Sequence, residues 1–325
     1  MTNSSLLRRT RRRIYLRALL AADRLFGWHS ATISPLCYWD RQFAPELKAA
    51  GEQYLHYFTS ACGLKPEARV LDVGCAIGRI AAPLTHYLKK SGSYEGLDII
   101  PEATRWCSAK ITPNFPNFHF QMADVINKEY NPKGAFEASE YVFPFNDESF
   151  DFVFLGSVFT HMLPQGVERY LSEIARVLKV GGKSLATYFL LTPKTLDSIE
   201  RGESTLPFTY DGSGFKAVSE TLPEMAVAYD ESFVRALYDQ NSLTITEPIR
   251  YGSWPRYVPK DMFGKKVGDF EYQDFVVAQK QPPKKDSLDS SLAHRSETRE
   301  MLASRPQRLH DIELTLDKPK DAAMR

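Results

Sequence analysis

Short apolar runs alternate with amphipathic stretches through the middle of the chain. Apolar runs at residues 70–73, 94–99, 118–123, 150–155 and 184–190 predict strands. Between most of them, apolar residues recur at the spacing of one helical face, which predicts helices. Strand–helix–strand units repeated in this way form a parallel sheet that carries helices on both faces. The pattern therefore predicts an α/β fold.

The pattern changes toward the end of this region. Residues 243–251 and 270–278 predict two further strands, and the connection between them shows no helical pattern. Strands joined without a crossover helix are typical of an antiparallel pair. The complete prediction is a doubly wound, seven-stranded sheet that is mostly parallel, with an antiparallel edge pair. A helix over residues 43–62 precedes the first strand, and Gly63 ends it.

The first 42 residues form a basic arm in this interpretation. Residues 1–30 contain seven arginines and a single acid, Asp23. Charged residues interrupt the apolar stretch that a signal peptide would need, whereas the apolar positions fall on one face of a helix. Two interpretations stay open. The helix packs on the rest of the chain, or residues 1–27 contact an anionic membrane or a polyanionic partner.

Residues 281–325 differ again, because they are rich in Lys, Asp, Ser and Pro and poor in apolar side chains. Such a composition offers too little burial to offset the ordering entropy, so it predicts a disordered tail. We therefore predict that residues 43–280 form one domain. Within it, residues 126–146 and 191–229 lack clear periodicity and are the candidate substrate-binding insertions, the second as a lid.

Composition narrows the functional classes. The chain has 325 residues with 41 Lys+Arg against 40 Asp+Glu, a formal charge of +1, which argues against general nucleic-acid binding. No uncharged apolar stretch is long enough to predict a membrane span. The four cysteines stand apart, without the spacing of a zinc site or a disulfide framework. We therefore expect reduced cysteines, no metal site and a cytoplasmic location.

The candidate chemistry lies where the first strand ends. A glycine turn runs from Gly74 to Gly78, and Asp98 follows the second strand 20 residues after Gly78, the separation typical of a ribose-binding acid. Asp124 follows the third strand. Because the carboxyl ends of parallel strands share one edge of the sheet, this combination predicts a nucleotide-like ligand there.

The turn does not suit a dinucleotide. Ala76 and Arg79 stand where the fingerprint G-x-G-x-x-G requires glycine, so a pyrophosphate would be poorly cradled, and an NAD-dependent oxidoreductase is disfavoured. Asp72, directly before the turn, would repel phosphate and suits a cationic or amine-bearing ligand.

These residues match a known pattern. The sequence VLDVGCAIGR at 70–79 resembles the first motif of the class I S-adenosylmethionine-dependent methyltransferases. The acid after the second strand, the Ala-Asp pair at 123–124 and the segments 143–151 and 176–182 follow in that family's order. The similarity is closest to the small-molecule branch that includes the ubiquinone/menaquinone-biosynthesis methyltransferases. Ala76 departs from it by replacing the usual middle glycine.

The resemblance implies a Rossmann-like fold, S-adenosyl-L-methionine as cofactor and a set of binding residues. The glycine turn would face the methionyl part, and Asp72 would act near its amino group, directly or through water. Asp98 would face the ribose, and Ile99, Asp124 and Val125 the adenine. The complete set is Asp72, Gly74, Cys75, Ala76, Gly78, Asp98, Ile99, Asp124, Val125 and Ser157. Two alternatives stay open, since Asp98 also suits a helix N-cap and Asp124 an ordinary turn.

Candidates for the transfer step are fewer. His161 follows the fourth strand and is the candidate general base, although a histidine there also suits a bond to a loop carbonyl. Tyr54, Phe208, Tyr210 and Phe215 are the candidate substrate contacts. Residues 155–158 lack the Asn/Asp-Pro-Pro-Tyr/Phe motif of enzymes that methylate base amines.

The sequence therefore predicts O-methylation of a small molecule such as a sugar, a glycolipid or a secondary metabolite. Its partner would be that methyl acceptor and no nucleic acid. The alternative is a non-catalytic protein that binds S-adenosylmethionine and interacts through the basic arm and the tail.

Overall fold

The computed structural model describes residues 44–128, 130–255 and 272–282. The basic arm at 1–42, its membrane or polyanion contact, and all but the first two residues of the predicted tail lie outside the described residues. The described helices are α1 (Ala44–Ser60), α2 (Ala81–Tyr87), α3 (Pro101–Lys110), α4 (Pro164–Val177), α5 (Pro193–Glu200) and α6 (Glu231–Gln240).

Eleven strands form two sheets in the described chain. They are β1 (Arg69–Val73), β2 (Ser93–Asp98), β3 (Phe118–Met122), β4 (Phe150–Leu155), β5 (Leu178–Tyr188), β6 (Leu190–Leu191), β7 (Tyr210–Gly212), β8 (Phe215–Ala217), β9 (Val227–Asp230), β10 (Leu243–Ile245) and β11 (Asp274–Lys280).

The large sheet has seven strands in the order β3–β2–β1–β4–β5–β11–β10. Neighbours from β3 to β5 pair in parallel. β11 runs antiparallel to both β5 and β10. The predicted fold class, a mostly parallel seven-stranded sheet with an antiparallel edge pair, is confirmed. The strand order reverses between β1 and β4, which lie side by side and parallel although β2 and β3 intervene in sequence.

Two apolar cores cover the two faces of this sheet. Successive side chains of a strand point to opposite faces, and β1 follows this rule: Val70 belongs to one core, whereas Leu71 and Val73 belong to the other. β4 is buried on both faces in the same way, as expected for the centre of a parallel sheet. Helices α1, α2 and α3 supply the first core, and α4 and α6 the second.

The insertion at 191–229 has more regular structure than its sequence predicts. It contains α5, β7, β8 and most of β9, and the second sheet has the order β6–β9–β8–β7. A third cluster of buried side chains, including Phe189 and Trp254, packs there. Its elements are too short to show a clear period in the sequence, which explains why the pattern indicated only a loop.

Smaller differences concern strand ends. β5 already begins at Leu178 and includes Gly181 and Gly182, which the sequence suggested as a turn before the strand. Its pairing with β4 shifts register between Phe150 and Phe152, so the glycines lie at an irregularity of the ladder. The strand predicted over 243–251 ends at Ile245.

The cysteines agree with the prediction where they are described. Cys62, Cys75 and Cys107 are free and buried, and Cys37 lies outside the described residues. None of the helices within the described ranges is long and apolar enough to cross a membrane. The cytoplasmic location stays a prediction.

Candidate cofactor and acceptor site

A cavity of about 780 Å³ opens at the carboxyl ends of β1, β2, β3 and β4. This volume lies in the upper half of the range of ligand pockets, roughly 300–1,000 Å³. The position is the one predicted for an open α/β sheet, since β1 and β4 flank the point at which strand order reverses.

The turn after β1 forms one wall of the cavity. Gly74, Cys75, Ala76 and Ile77 line it. Gly74 has a φ of +88°, and its N–H donates to the carbonyl of Leu97 over 2.7 Å. A Cβ at Gly74 would stand 2.5 Å from Cγ2 of Val158, so the missing side chain makes room for the segment after β4.

Ala76 takes the left-handed conformation that its family position usually gives to glycine. Its φ is +45°, and its N–H donates to Oδ2 of Asp98 over 2.6 Å. Because a non-glycine residue is strained in this region, the bond to Asp98 helps to hold the turn in shape. Gly78 turns the chain toward α2 and does not line the cavity.

Asp98 is the central acid of the site. It is 6% exposed and lines the cavity, and its Oδ1 accepts the N–H of Ile100 over 2.8 Å. Burial raises the pKa of Asp98, while the backbone N–H groups of Ile100 and Ala76 act in the opposite direction. Two bonds leave further lone pairs on the carboxylate for hydroxyl donors. Its predicted ribose contact stays a prediction that this geometry permits.

Asp72 is buried away from the cavity surface. It is 1% exposed and is not among the lining residues, so of the two forms of the prediction the direct cofactor contact does not fit the structure. Its Oδ2 accepts the Tyr94 hydroxyl over 2.6 Å, and its Oδ1 has no hydrogen-bond partner among the described residues. Burial raises the pKa of Asp72 to about 7, although the Tyr94 hydrogen bond lowers it. Its influence on a ligand would be electrostatic.

The predicted adenine contacts divide into two groups. Ile99 and Val125 line the cavity as apolar walls, whereas Asp124 is exposed and does not line it. Side chains alternate along extended backbone, so Ala123 and Val125 face inward and Asp124 faces outward. The Asp124 carbonyl accepts the N–H groups of two residues of the following loop, at 135 and 136. The structure therefore favours the turn interpretation for Asp124.

Ser157 and His161 come from the segment after β4, and both line the cavity. Ser157 has a φ of +59°; its N–H donates to Oγ1 of Thr187 over 2.7 Å and its hydroxyl to Oε1 of Gln273 over 2.9 Å. His161 ends a short 3₁₀ helix, and its Nδ1 lies 3.1 Å from the carbonyl oxygen of Glu224. A carbonyl only accepts, so Nδ1 carries the proton and Nε2 of a neutral ring keeps a lone pair.

The remaining polar wall was not assigned from the sequence. The additional polar residues that line the cavity are Arg79, Asn127, Tyr130, Glu137, Ser139, Tyr141, Gln165, Tyr170 and Glu224. Most of them belong to the 126–146 insertion and the start of α4. The lack of periodicity at 126–146 gave a signal for the segment, but not for individual residues. Glu224 belongs to the 191–229 insertion and carried no signal.

The four predicted substrate contacts lie outside this cavity. Tyr54 is 7% exposed and packs in the first core, on the rings of Phe154 and Phe275. Phe208 is fully buried, Tyr210 is exposed on β7, and Phe215 packs against the second core. The physical reason is that Tyr54, Phe208 and Phe215 pack in or against the apolar cores, while Tyr210 faces solvent on β7, so none of the four lines the cavity.

The charge of the cavity favours a cation. Its lining contains three carboxylates, those of Asp98, Glu137 and Glu224, and one guanidinium, that of Arg79. An excess of negative charge attracts a sulfonium nucleoside and opposes a pyrophosphate. The buried acid at the end of β2, the apolar walls beside it and this charge balance fit S-adenosylmethionine.

Residues 71–186 match the family model described as a methyltransferase domain. Two curated relatives are a sterol 24-C-methyltransferase of Schizosaccharomyces pombe and a probable cobalt-precorrin-6B C(15)-methyltransferase of Thermoplasma acidophilum. The first is 25% identical over 158 residues, which is 48% of this chain and 36% of that protein. The second is 26% identical over 119 residues, which is 35% of this chain and 51% of that protein. The chain thus spans about a third and a half of their lengths.

Solved structures are similar as well. One is a SAM-dependent methyltransferase from Methanosarcina mazei, with a TM-score of 0.45 and 21% identity, over 71% of this chain and 98% of that chain. The matched domain contains β1 to β4, whose carboxyl ends build the cavity, and most of β5. Through residues 71–186 the chain is thus similar to methyltransferases, and this similarity supports S-adenosyl-L-methionine as its cofactor.

Proposed function

We propose that the chain transfers a methyl group from S-adenosylmethionine to a hydroxyl oxygen of a small molecule, with His161 as the general base. The observation that carries this proposal is the hydrogen bond between His161 Nδ1 and the Glu224 carbonyl at the cavity wall. Because a carbonyl only accepts, Nδ1 carries a proton, so the lone pair of a neutral ring would be on Nε2, where a base needs it.

The two ends of the cavity suggest two tasks. Asp98, Ile99 and Val125 surround the place for the nucleoside. His161 lies with Gln165 and Glu224 in a polar part that suits a hydroxylated acceptor. The apolar and polar parts belong to one cavity, so an acceptor there would lie next to the cofactor.

When bound, the cofactor supplies an electrophilic methyl group on a positively charged sulfur. The protein's own contribution would be alignment, because an in-line displacement requires the acceptor oxygen close to the methyl carbon. His161 Nε2 would take the hydroxyl proton as the oxygen attacks, and the carbonyl of Glu224 would stabilise the positive charge that the ring acquires. Ser157, fixed by its bonds to Thr187 and Gln273, would shape the wall between the two ligands.

The direct test combines a panel of hydroxylated small molecules with cofactor that carries a labelled methyl group. We expect the label on oxygen, as established by mass spectrometry of the isolated product. Because the two curated relatives are named as C-methyltransferases, the atom that receives the label is decisive. Label on carbon or nitrogen contradicts the oxygen acceptor. Cofactor binding without any labelled product, in the panel and in cell extract, favours the non-catalytic alternative.

The role of His161 needs a separate experiment. For His161→Ala, we expect kcat to fall by about 10²- to 10⁴-fold, the usual contribution of a general base. The affinity for S-adenosylhomocysteine should stay within about two-fold, since the cofactor walls are unchanged. His119→Ala is the matched control, because this histidine pairs with Glu95 on the exterior, away from the cavity. A kcat within a few-fold of the parent excludes His161 as the base.

A further inference from the structure

Arg79 is a cation in an acidic cavity, and among the described residues its charge acts on the buried carboxyl of Asp72, whose pKa burial raises and this charge lowers, without forming an ion pair. Its side chain is half-buried and lines the cavity after the β1 turn. In the described part of the chain, no carboxylate lies within ion-pair distance of its guanidinium, although Glu137, Glu224 and Asp98 line the same space. A half-buried guanidinium without a carboxylate is well placed to receive an anionic group of a ligand.

Tyr54 fixes the direction of this guanidinium. The Arg79 carbon Cζ lies over the Tyr54 ring, 5.8 Å from its centroid, at a cation–π distance. The ring itself is locked in the core. It stacks on Phe275 at 5.8 Å with an angle of 11° between the planes, and it contacts Phe154 at 5.1 Å. Tyr54 therefore presents a rigid face on which the guanidinium rests.

Helix α1 also approaches the backbone of Arg79. A Cβ at Gly51 would stand only 2.6 Å from the Arg79 carbonyl oxygen, so glycine is required for this contact. One turn of α1 thus contacts the backbone of Arg79 through Gly51 and its side chain through Tyr54. This arrangement holds the charge of Arg79 at the end of the cavity that the glycine turn lines.

We propose that Arg79 binds the α-carboxylate of the methionyl part of the cofactor, and that Tyr54 is its positioning residue. The proposal rests on the proposed function, because it requires the same cofactor in the same cavity. S-adenosylmethionine carries two positive groups, the sulfonium and the ammonium, and one negative group, the carboxylate. The carboxylates of the lining suit the first two and repel the third, which leaves Arg79 as its counter-ion.

The test compares two ligands that differ in this carboxylate. S-adenosylhomocysteine contains the complete amino acid, whereas 5′-methylthioadenosine keeps the nucleoside and lacks the amino acid. Isothermal titration of the full chain should show that Arg79→Ala lowers the affinity for S-adenosylhomocysteine by about 10- to 100-fold. The same variant should leave the affinity for 5′-methylthioadenosine within about two-fold. Arg79→Lys should be intermediate, because it keeps the charge without the planar fork.

Matched variants separate positioning from general damage. Arg105→Ala is the control for the loss of an arginine, since Arg105 is exposed on α3 and pairs with Glu102. Tyr54→Phe keeps the ring and should retain the preference of the parent for S-adenosylhomocysteine. Tyr54→Leu removes the ring face and should reduce that preference several-fold, with 5′-methylthioadenosine again unaffected.

The outcomes distinguish this inference from the proposed function. If the parent binds neither ligand, the proposed function fails and the inference fails with it. If the parent binds S-adenosylhomocysteine but Arg79→Ala and Arg79→Lys bind it equally well, only the role of Arg79 is wrong. Equal losses for both ligands in these variants also overturn the inference, since they indicate a purely structural role.

Discussion

The proposed function divides the cavity into a cofactor half and an acceptor half, and the two are built differently. The cofactor half consists of the ends of β1, β2 and β3 with the residues that directly follow them, from Val73 to Val125. The acceptor half consists of the insertion 126–146, residues 156–170 and Glu224. Strand ends fix the first half through the backbone ladder of the sheet, whereas side chains from distant segments assemble the second. Strand ends, which the backbone of the fold fixes, are suited to a ligand that many members of a family share. Side chains from variable segments are suited to a substrate that differs from one enzyme to the next.

The largest expected effect concerns an aromatic residue that does not belong to either half. Phe208 is fully buried and packs on Phe189 and Trp254, with ring centroids 5.4 Å apart in both pairs. Phe208→Ala should lower the free energy of unfolding by about 3–5 kcal/mol through the cavity it creates. Urea denaturation measures this loss. Tyr210→Ala on the exposed β7 is the comparison and should cost less than about 0.5 kcal/mol.

If Phe208→Ala changed the Michaelis constant for the acceptor without loss of stability, we would conclude that Phe208 contacts the acceptor. That result would also mean that the small sheet contributes to the cavity by more than Glu224.

The next effect in size concerns the cofactor half. Asp98→Ala should lower the affinity for S-adenosylhomocysteine by about 100-fold, or about 2.7 kcal/mol. The substitution removes the acceptor of the Ala76 and Ile100 N–H groups together with the expected ribose contact. Asp124→Ala should change this affinity by less than about two-fold, since its side chain is exposed. Isothermal titration measures both. A larger loss for Asp124 than for Asp98 would reverse our interpretation of the two acids.

The last effect is small per pH unit: a pH dependence of stability that comes from Asp72. Burial raises its pKa in the folded protein from 3.8 to about 7, so the folded state holds this proton more tightly than the unfolded state. Its stabilising contribution is complete below about pH 4 and is lost as the pH rises to about 7, with a slope of at most about 1.4 kcal/mol per pH unit.

Asp72→Asn should remove this contribution and flatten the curve of unfolding free energy between pH 5 and pH 7. Asp197→Asn is the control, because Asp197 pairs with Arg201 on the exposed side of α5. Parallel pH curves for Asp72→Asn and the parent protein would contradict the assignment of this proton to Asp72.

The same division explains what the sequence could predict. The strand periodicity located the sheet, and the turn at 74–78 with Asp98 located one edge of the cavity, because both depend on local backbone geometry. Arg79 is the last residue of the motif at 70–79, but its proposed role depends on Tyr54. Tyr54 precedes it by 25 residues and contacts it only in the folded chain. Spacing alone gives no sign of such a contact.

The acceptor half was predicted less well for a physical reason. Phe208 and Phe215 are apolar side chains in a stretch without clear periodicity, and the sequence does not distinguish a binding loop from a segment whose aromatic residues pack in a core. In the folded chain, Phe208 packs in the third cluster and Phe215 packs against the second core. His161 could be named as a candidate because it lies in the segment after β4. Glu224, whose carbonyl oxygen it contacts, lies 63 residues further along the chain.

The central claim is that the carboxyl edge of the large sheet binds S-adenosylmethionine. Isothermal titration of the full chain with S-adenosylhomocysteine tests it most directly. We predict saturable binding of one molecule per chain, with competition by S-adenosylmethionine and loss of affinity in Asp98→Ala. A flat titration with both compounds, for protein that unfolds cooperatively and is therefore folded, would contradict the claim.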